Sequence, residues 1–380
     1  MDKKKIYYLT MEGITSTVFK SQVYELLNSE LSVENDLTLL LMQPINIRWN
    51  KEIIKQLKDI KKSQKFTTKI IPYIGFKGSV SKNLAFFLLN IYINGILKNA
   101  NKVIHCRGQE AVAVAKMLKK KNENISIIAD IRGVPYEELK EINIGRAKYF
   151  YELDNFIFTD KTINHINYIS NELKKYYHER YNIEMINETV IPCFTSFEKN
   201  LEGINVSETL NILYVGGQQF YQRINDIPKL ISKIKNNNIN VILCLNGNKN
   251  YELENSFKKL NIKSEFYYNL NKEQLDSIYS KSDVGILIRD NTNLNKVASP
   301  VKLSEYLSKG LYLLIIGEVG DFYRFVKKHP KLGYCNKSLE AIEEIRLEKN
   351  LGDKEFRKEF SKRFSKEFCI EKYKELYRSI

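Results

Sequence analysis

The stretch SPVKLSEYLSKG holds residues whose types and spacing suit the binding of a phosphorylated ligand. Ser299 is expected to cap a helix, and Pro300 fits its first position, where a missing N–H costs nothing. The free N–H groups and the positive dipole end of that helix form a natural seat for phosphate. Glu305 follows about one and a half turns later. A carboxylate near a phosphate is disfavoured by charge repulsion unless it has another role. Accepting two hydrogen bonds from a ribose diol is such a role.

A loop, a helix and a buried strand, predicted over residues 298–316, position this chemistry. Leu303, Tyr306 and Leu307 share one helical face. Gly310 stands where a left-handed cap is expected, and LYLLII is an apolar run typical of a buried parallel strand. The residues alone leave an alternative open, which is an ordinary helix–strand unit with a surface glutamate.

The same segment resembles the nucleotide-sugar-binding segment of retaining GT-B glycosyltransferases, glycosyltransferase family 4 in particular. The resemblance implies that the helix N-terminus holds the donor diphosphate and that the glutamate holds the ribose. The residues that it places around the donor here are Ser299, Pro300, Val301, Lys302 and Glu305. The family tends to have a second glutamate, in contact with the donor sugar, eight residues before the first, and Val297 occupies that position in this chain.

Two further loops are expected to balance the charge of the donor phosphates. DVGILIRD resembles the strand beside the donor base and phosphates, and Arg289 lies at its end. A guanidinium there can form two parallel hydrogen bonds to a diphosphate and stabilise the leaving group, which makes Arg289 a catalytic candidate. A solvated loop arginine is the alternative. NILYVGGQQFYQR resembles the glycine loop that approaches the diphosphate, which implies contacts from Gly217 and Arg223.

Charged residues end two predicted strands in the first half of the chain. KVIHCRG and ISIIADIRG both finish in Arg-Gly, and ligands of open α/β sheets gather at the carboxyl ends of strands. IIADIRGVPYEE resembles the DxRG segment of some polysaccharide-synthesis glycosyltransferases, and EGITSTVFKSQV loosely resembles the loop after their first strand. The acceptor side that this implies consists of Gly13, Arg107, Asp130 and Arg132. Asp130 is the candidate base if the protein supplies one, and a structural ion pair between Asp130 and Arg132 is the alternative.

Length and charge limit the classes of protein that fit. A chain of 380 residues suits two domains, and an apolar content of 43% is enough to form their cores. The net charge of +15 favours an acidic partner, such as nucleic acid, an anionic membrane surface or a phosphorylated substrate. Dispersed cysteines indicate a reducing cytoplasm, and neither a signal peptide nor a membrane span is expected. Residues 84–97 are expected to form a core helix, or alternatively a membrane-facing or lipid-acceptor surface.

Strand–glycine–helix patterns open both halves of the chain, at KIYYLTM and at NILYVGG. Such openings are typical of doubly wound units. Together with the resemblance they predict an α/β protein of the GT-B fold, with two Rossmann-like domains facing each other across a cleft. We expect an acceptor domain at 1–195, a linker at 196–210 and a nucleotide-sugar domain at 211–355. A C-terminal helix at 356–380, with an aromatic stripe, is expected to cross back to the first domain.

The sequence therefore predicts a glycosyltransferase that uses a UDP- or GDP-sugar and a saccharide or lipid-linked saccharide acceptor. The resemblance implies retention of configuration and capsule or O-antigen synthesis, in the cytoplasm or peripherally on the membrane. No permanent cofactor or metal is expected, since no DxD stands at a strand end and arginines neutralise the phosphates. A nucleotide-sugar 2-epimerase or hydrolase is one alternative. A basic nucleic-acid-binding protein is another, but the sequence has no basic-aromatic module, so nucleic acid is not an expected partner.

Overall fold

The computed structural model divides the chain into two compact units. The first consists of residues 1–191 and 370–380, and the second of residues 192–369. The residues described are 3–16, 18–44, 51–73, 91, 95, 102–120, 123–183, 187–195, 209–236, 238–347 and 362–380. The break between the units precedes the predicted domain end at 195. Most of the predicted linker at 196–210 and of the predicted helix at 84–97 lies outside the described residues.

In the first unit, seven strands among the described residues form a parallel sheet in the order β3–β2–β1–β4–β5–β6–β7. Their bounds are Lys4–Thr10 (β1), Asn35–Pro44 (β2), Thr67–Tyr73 (β3), Lys102–Arg107 (β4), Ile125–Ile131 (β5), His165–Tyr168 (β6) and Asn187–Val190 (β7). β4 is buried along its whole length, as expected for a central parallel strand. The register aligns Thr10, Arg107 and Asp130 at the carboxyl ends of three neighbouring strands.

Helices connect the strands of the first unit. Their described bounds are Phe19–Tyr24 (a π-helix), Glu25–Leu27, Leu31–Glu34, Lys51–Ser63, Gln109–Lys119, Pro135–Leu139, Ile144–Phe158 and Asn171–Arg180. The Gln109–Lys119 helix begins directly after β4, and Gly108 between them has a φ of 81°, a conformation that glycine adopts without strain. The chain therefore turns sharply from the charged end of β4 into a helix.

In the second unit, six described strands form another parallel sheet, in the order β10–β9–β8–β11–β12–β13. Their bounds are Leu210–Gly216 (β8), Ile239–Leu245 (β9), Ser264–Tyr268 (β10), Val284–Ile288 (β11), Tyr312–Ile316 (β12) and Gly333–Asn336 (β13). The described α-helices are Ile227–Ile231, Tyr251–Lys259, Lys272–Tyr279, Asn293–Lys296, Val301–Ser308 and Gly320–Lys328. Short 3-10 turns are Phe220–Gln222, Ile224–Asp226 and Pro330–Leu332.

The core of the second unit fixes the position of the Val301–Ser308 helix. Leu303, Tyr306 and Leu307 are buried, which confirms the predicted apolar face. Tyr306 lies directly over Gly285 of β11, where any side chain would collide with its ring. The Tyr306 hydroxyl accepts a hydrogen bond of 2.9 Å from the Val215 N–H. The helix is thus held against two neighbouring strands, β8 and β11.

The C-terminal helix, Lys366–Ser379, ends in the first unit, to which residues 370–380 belong. Tyr373, Leu376 and Tyr377 are buried, and the end of the helix lies in the first unit as expected. Residues 362–364 form a turn and Phe364 packs on Phe322, so in the described residues the helix begins later than the predicted bounds of 356–380. Lys4 donates a hydrogen bond of 2.8 Å to the Tyr377 carbonyl, joining the start of β1 to the chain's last turn. No helix in the described part of the chain is both long and apolar enough to span a membrane.

Candidate functional site

The carboxyl ends of β8 and β11 and the start of the Val301–Ser308 helix bring two basic side chains together. Lys302 donates a hydrogen bond of 2.8 Å to Gln222 Oε1, and its ammonium lies 4.8 Å from the centre of the Tyr214 ring. A side chain at Gly216 would collide with the Lys302 amine. Glycine at this strand end therefore lets the lysine cross the end of β8.

Arg289 is the second basic group, and only 8% of it is exposed. Its guanidinium donates to the carbonyls of Tyr221 and Ile288, each at 3.3 Å, and lies 5.4 Å from the centre of the Tyr221 ring. Burial lowers the pKa of Arg289. Burial, and then the positive charge of Arg289, lower the pKa of Lys302 well below its ordinary value. The charge of Arg289 therefore disfavours a second positive charge on Lys302.

Neither cation has a carboxylate partner within 4.0 Å among the residues that the structure describes. Glu305 attracts Lys302 only from a longer distance. Burying a charge without an opposite charge beside it costs free energy, and the pKa of the group shifts so that its neutral form is favoured. This pair of basic side chains is therefore a candidate site for an anion.

Glu305 lies one turn after Lys302 on the same helix. The Tyr279 hydroxyl donates to Glu305 Oε2 at 2.7 Å, which fixes the carboxylate. Burial raises the pKa of Glu305 above its usual range. Within the described part of the chain, Oε1 has no hydrogen-bond donor, so one acceptor oxygen is left for a ligand. Tyr279 was not predicted from the sequence, because its contact with Glu305 joins two separate helices.

The start of the helix differs from the prediction. Pro300, not Ser299, is the N-cap, and the helix begins at Val301 without a side-chain cap. The Ser299 hydroxyl instead accepts a hydrogen bond of 3.1 Å from the Cys193 N–H, while Ser304 donates to the Cys193 carbonyl at 3.0 Å. The predicted cap was therefore wrong, because a distant backbone segment takes the serine hydroxyl. The first turn keeps its N–H groups uncapped by any side chain, as a phosphate seat requires.

The glycine loop after β8 holds the other two predicted donor contacts. The Gly217 carbonyl accepts a hydrogen bond of 3.1 Å from Tyr214. Arg223 adopts a left-handed φ of 49°, and its guanidinium forms ion pairs with Asp226 and Asp290. The charge of Arg223 is thus already balanced by two carboxylates, unlike the charges of Arg289 and Lys302. Its assignment as a donor contact stays a prediction.

The predicted acceptor-side charges of the first unit also lie together. Asp130 is fully buried, and its carboxylate is 3.2 Å from Arg132, 3.7 Å from Arg107 and 3.4 Å from His105. Asn167 adds a hydrogen bond of 2.7 Å. Burial alone would raise the pKa of Asp130, but the charge of Arg132, reinforced by His105 and Arg107, holds it below its usual range.

Tyrosines of the C-terminal helix cover this cluster. The Tyr377 hydroxyl lies 2.7 Å from His105 Nδ1, and Tyr373 accepts a hydrogen bond of 3.5 Å from Arg132. Burial lowers the pKa of His105, so the imidazole is neutral. A fully buried carboxylate of low basicity is suited to holding these elements together, and the assignment of Asp130 to catalysis stays a prediction. The sequence offered no signal for Tyr377, which lies far along the chain.

The first loop approaches the same cluster. Glu12 Oε1 lies 3.6 Å from Arg107 Nε, and the exposed Gly13 follows it. The Gly13 carbonyl accepts a hydrogen bond of 2.9 Å from Ser16. Gly13, Arg107, Asp130 and Arg132 therefore belong to one region of the first unit. The described residues contain no group of three or more His, Cys, Asp or Glu side chains placed to hold a metal ion.

Comparisons with known proteins gave likenesses in structure alone. No family model matches the chain, and no curated protein matches it. A glycosyltransferase from Rickettsia africae has a TM-score of 0.69 at 13% identity, covering 100% of this chain and 99% of that one. The lipopolysaccharide outer core galactosyltransferase WaaB, in its apo form, gives 0.67 at 11%, covering 99% and 100%. TarM of S. aureus, solved with fondaparinux, α-GlcNAc-glycerol and UDP, gives 0.62 at 10%, covering 98% and 99%.

These likenesses extend over the full length of both chains in each comparison. They show the fold, and the predicted fold class is confirmed: the chain is an α/β protein of the GT-B type, built from two parallel, Rossmann-like sheets.

Proposed function

We propose that this GT-B protein is a glycosyltransferase that binds the diphosphate of a nucleotide sugar between Lys302, Arg289 and the start of the Val301–Ser308 helix. The observation that carries the proposal is the pair of basic side chains without a carboxylate partner among the described residues. The N-terminus of a helix and a guanidinium are both suited to phosphate oxygens. That TarM, of the same fold, was solved with UDP supports the choice of a nucleotide as the anion.

The same groups give the site a catalytic task. When the glycosidic bond to the donor breaks, negative charge grows on the departing diphosphate. Cations and helix N–H groups that are already in place stabilise that charge without reorganising. Arg289 is held by two carbonyls and a tyrosine ring, so its position is fixed before the reaction begins. We assign it the stabilisation of the leaving group.

Glu305 is proposed to bind the ribose. Tyr279 occupies one carboxylate oxygen, which leaves the other to accept a hydrogen bond from a ribose hydroxyl. Burial raises the pKa of Glu305, the Tyr279 hydroxyl and Lys302 oppose this shift, and a further hydrogen-bond donor would also favour the ionised carboxylate. The hydroxyl of a ligand supplies such a donor.

The finer parts of the proposal rest on the resemblance of the sequence to glycosyltransferase family 4. On that basis, the sugar is transferred with retention of its anomeric configuration to a saccharide or a lipid-linked saccharide. The pathway is capsule or O-antigen synthesis. The donor phosphate is proposed to help remove the acceptor proton, so no protein base is required. The net charge of +15 supports a peripheral place on an anionic membrane surface in the cytoplasm. The acceptor would bind near Gly13 and Arg107 of the first unit.

Titration calorimetry with UDP and with GDP tests the donor site. We expect the unaltered protein to bind one of them, and Lys302→Met to bind it far more weakly. Lys258→Met, which changes an exposed lysine of the same unit, is the matched control and is expected to bind normally. A bound diphosphate favours the charged form of Lys302 and should therefore raise the pKa that burial lowers. Equal affinities for the two variants would refute the site.

The alternative of a 2-epimerase or hydrolase is distinguished by the need for an acceptor. A glycosyltransferase consumes its nucleotide sugar rapidly only when an acceptor is present, whereas an epimerase or hydrolase needs none. Incubating the protein with UDP- and GDP-sugars, with and without saccharide acceptors, gives this readout. Fast turnover without acceptor would replace the proposed activity by the alternative, while leaving the nucleotide site in place.

A further inference from the structure

We propose that Phe220 contacts the sugar ring of the nucleotide-sugar donor and helps to select it. This inference rests on the proposed function and adds to it a residue that meets the part of the donor beyond the diphosphate. Phe220 is 65% exposed and lies in the 3-10 turn Phe220–Gln222. A single exposed phenylalanine is unremarkable by itself. Its significance comes from the two residues that follow it.

The two residues that follow Phe220 in this turn accept hydrogen bonds from the two basic side chains. The Tyr221 carbonyl accepts from Arg289 at 3.3 Å, and Gln222 Oε1 accepts from Lys302 at 2.8 Å. The turn is therefore tied to the two groups proposed to bind the diphosphate. Phe220 belongs to the same turn, and its ring packs edge-on against that of Tyr221, so we place it beside the ligand of those groups.

The turn is also firmly braced. Gln222 donates its N–H to the Gln219 carbonyl at 2.8 Å, and the Tyr214 hydroxyl lies 3.1 Å from both the Gln222 side chain and the Gly217 carbonyl. Arg223 ends the turn in a left-handed conformation that non-glycine residues avoid, and two aspartates fix its side chain. Backbone strain that the surroundings hold in place is common at binding sites. Phe220 is thus presented in a defined position instead of packing into the core.

The order of groups along the site indicates which part of the donor meets Phe220. Glu305, the proposed ribose ligand, follows Lys302 on the same helix, and its charge acts on that lysine. Arg289 contacts Tyr221, the residue next to Phe220. The centroids of the Phe220 and Tyr221 rings lie 5.5 Å apart. A diphosphate that spans Lys302 and Arg289 with its ribose at Glu305 directs its second phosphate, and the sugar attached to it, toward Phe220.

A sugar ring is a chemically suitable partner for this side chain. One face of a hexopyranose presents several C–H groups, and an aromatic ring can cover them while the hydroxyls stay in water or bind polar groups. Phe220 offers only apolar contact, so it favours sugars in which the face toward its ring presents C–H groups instead of hydroxyls. Aromatic contacts add to affinity by an amount that corresponds to about threefold to tenfold.

Calorimetry with matched pairs of ligands tests this. The probes are UDP against UDP-glucose and UDP-N-acetylglucosamine, and GDP against GDP-mannose. For Phe220→Ala we expect the affinity for the nucleoside diphosphate to stay within about twofold, and the affinity for the preferred nucleotide sugar to fall about threefold to tenfold. Phe220→Tyr, which keeps the ring, should restore it. Tyr251→Ala removes an aromatic ring that is 66% exposed elsewhere in the unit and should change neither.

Each contrary outcome has a separate meaning. If Phe220→Ala lowers the affinities for the diphosphate and the nucleotide sugar equally, or lowers neither, the role of Phe220 in sugar binding is overturned. The proposed nucleotide site would still stand. If the unaltered protein binds the nucleotide sugars no better than the diphosphates alone, the inference also fails. If it binds none of the probes, the proposed function falls, and the inference falls with it.

Discussion

Two clusters of basic residues occupy the carboxyl ends of strands, one in each unit, and they differ in how their charge is balanced. In the first unit, Arg107 and Arg132 share the buried carboxylate of Asp130. In the second unit, Arg289 and Lys302 have no carboxylate within ion-pair distance among the described residues, and burial lowers the pKa of both. The carboxylate that the arginines of the first cluster face belongs to the fold, whereas on the proposed function the second cluster receives its anion from a ligand.

On the proposed function, this difference distinguishes a structural charge cluster from a binding site, although both look alike in sequence. Each contains basic residues at a strand end, which is where ligands of α/β proteins gather. The cluster of the first unit also lies beneath Tyr373 and Tyr377 of the C-terminal helix, so its charges fasten that helix. The partner of each charge, not its position alone, therefore separates the two roles.

Removing the shared carboxylate should produce the largest effect. Asp130→Ala leaves the buried Arg107 and the half-buried Arg132 without their shared carboxylate, and we expect the free energy of unfolding to fall by about 3–5 kcal/mol. Chemical denaturation measures it. Glu152→Gln, which changes an exposed acid paired at 4.0 Å with the exposed Lys148 in the same unit, is the control and should have little effect. If both variants were equally stable, the first cluster would not be structural.

Removing a cation from the second unit should act in the opposite way on stability. Lys302→Met takes away a half-buried amine whose charge has no carboxylate within 4.0 Å among the described residues, so we expect the free energy of unfolding to stay level or rise. The affinity for UDP or GDP should fall by about tenfold to a hundredfold, because a charge-assisted hydrogen bond to the ligand is lost. Denaturation and calorimetry on the same preparation give both values. A less stable variant with normal nucleotide affinity would reverse the comparison.

Glu305 provides a sharper test of what the second site holds. Glu305→Gln keeps the size of the side chain and an oxygen for Tyr279 but removes the charge, and we expect roughly fivefold to tenfold weaker nucleotide binding. The unaltered protein should bind UDP or GDP more tightly than the matching 2′-deoxy nucleotide, and the variant should lose most of this preference. An undiminished preference in the variant would assign the ribose to another group.

Local sequence patterns were enough to predict the helix and strand over residues 298–316 and the parallel strands of both units. The apolar face of Leu303, Tyr306 and Leu307 and the left-handed Gly310, with a φ of 75°, follow from residue types a few positions apart. The parallel strands follow from apolar runs of the right length. Such features depend on neighbours in the chain, which the sequence shows directly.

Features that depend on distant partners could not be predicted in the same way. The hydroxyl of Ser299 is taken by the backbone of Cys193, and Arg223 pairs with Asp290. The network around Asp130 is completed by Tyr377, near the other end of the chain. Spacing along the sequence gives no measure of these contacts, because they arise only when the sheets and helices have assembled. The charge balance that distinguishes the two clusters is therefore visible only in three dimensions.

The first cluster should also make stability depend on pH. Burial lowers the pKa of His105 below the 6.5 of an unfolded histidine, so as pH falls through 6.5 the unfolded state takes a proton that the folded state does not. Stability is then lost toward acid, by up to about 1.4 kcal/mol per pH unit for this group. His105→Gln should flatten the curve of unfolding free energy as the pH falls below about 6.5. Since His165, whose pKa is lowered to about 4, acts in the same direction, part of the slope will persist. An unchanged slope would mean that His105 is protonated in the folded protein.

Arg223 should give the smallest effect, and it is the residue on which the comparison depends most directly. Its guanidinium is balanced by Asp226 and Asp290 and is 39% exposed, so it resembles the arginines of the first cluster in its pairing, although it lies beside the second. Arg223→Ala should change the free energy of unfolding by no more than about 1 kcal/mol and nucleotide affinity by no more than about twofold. Calorimetry beside Lys302→Met is the measurement. A loss as large as that of the lysine variant would mean that Arg223 leaves its aspartates for the ligand, and the static balance of charge would then no longer identify the binding residues.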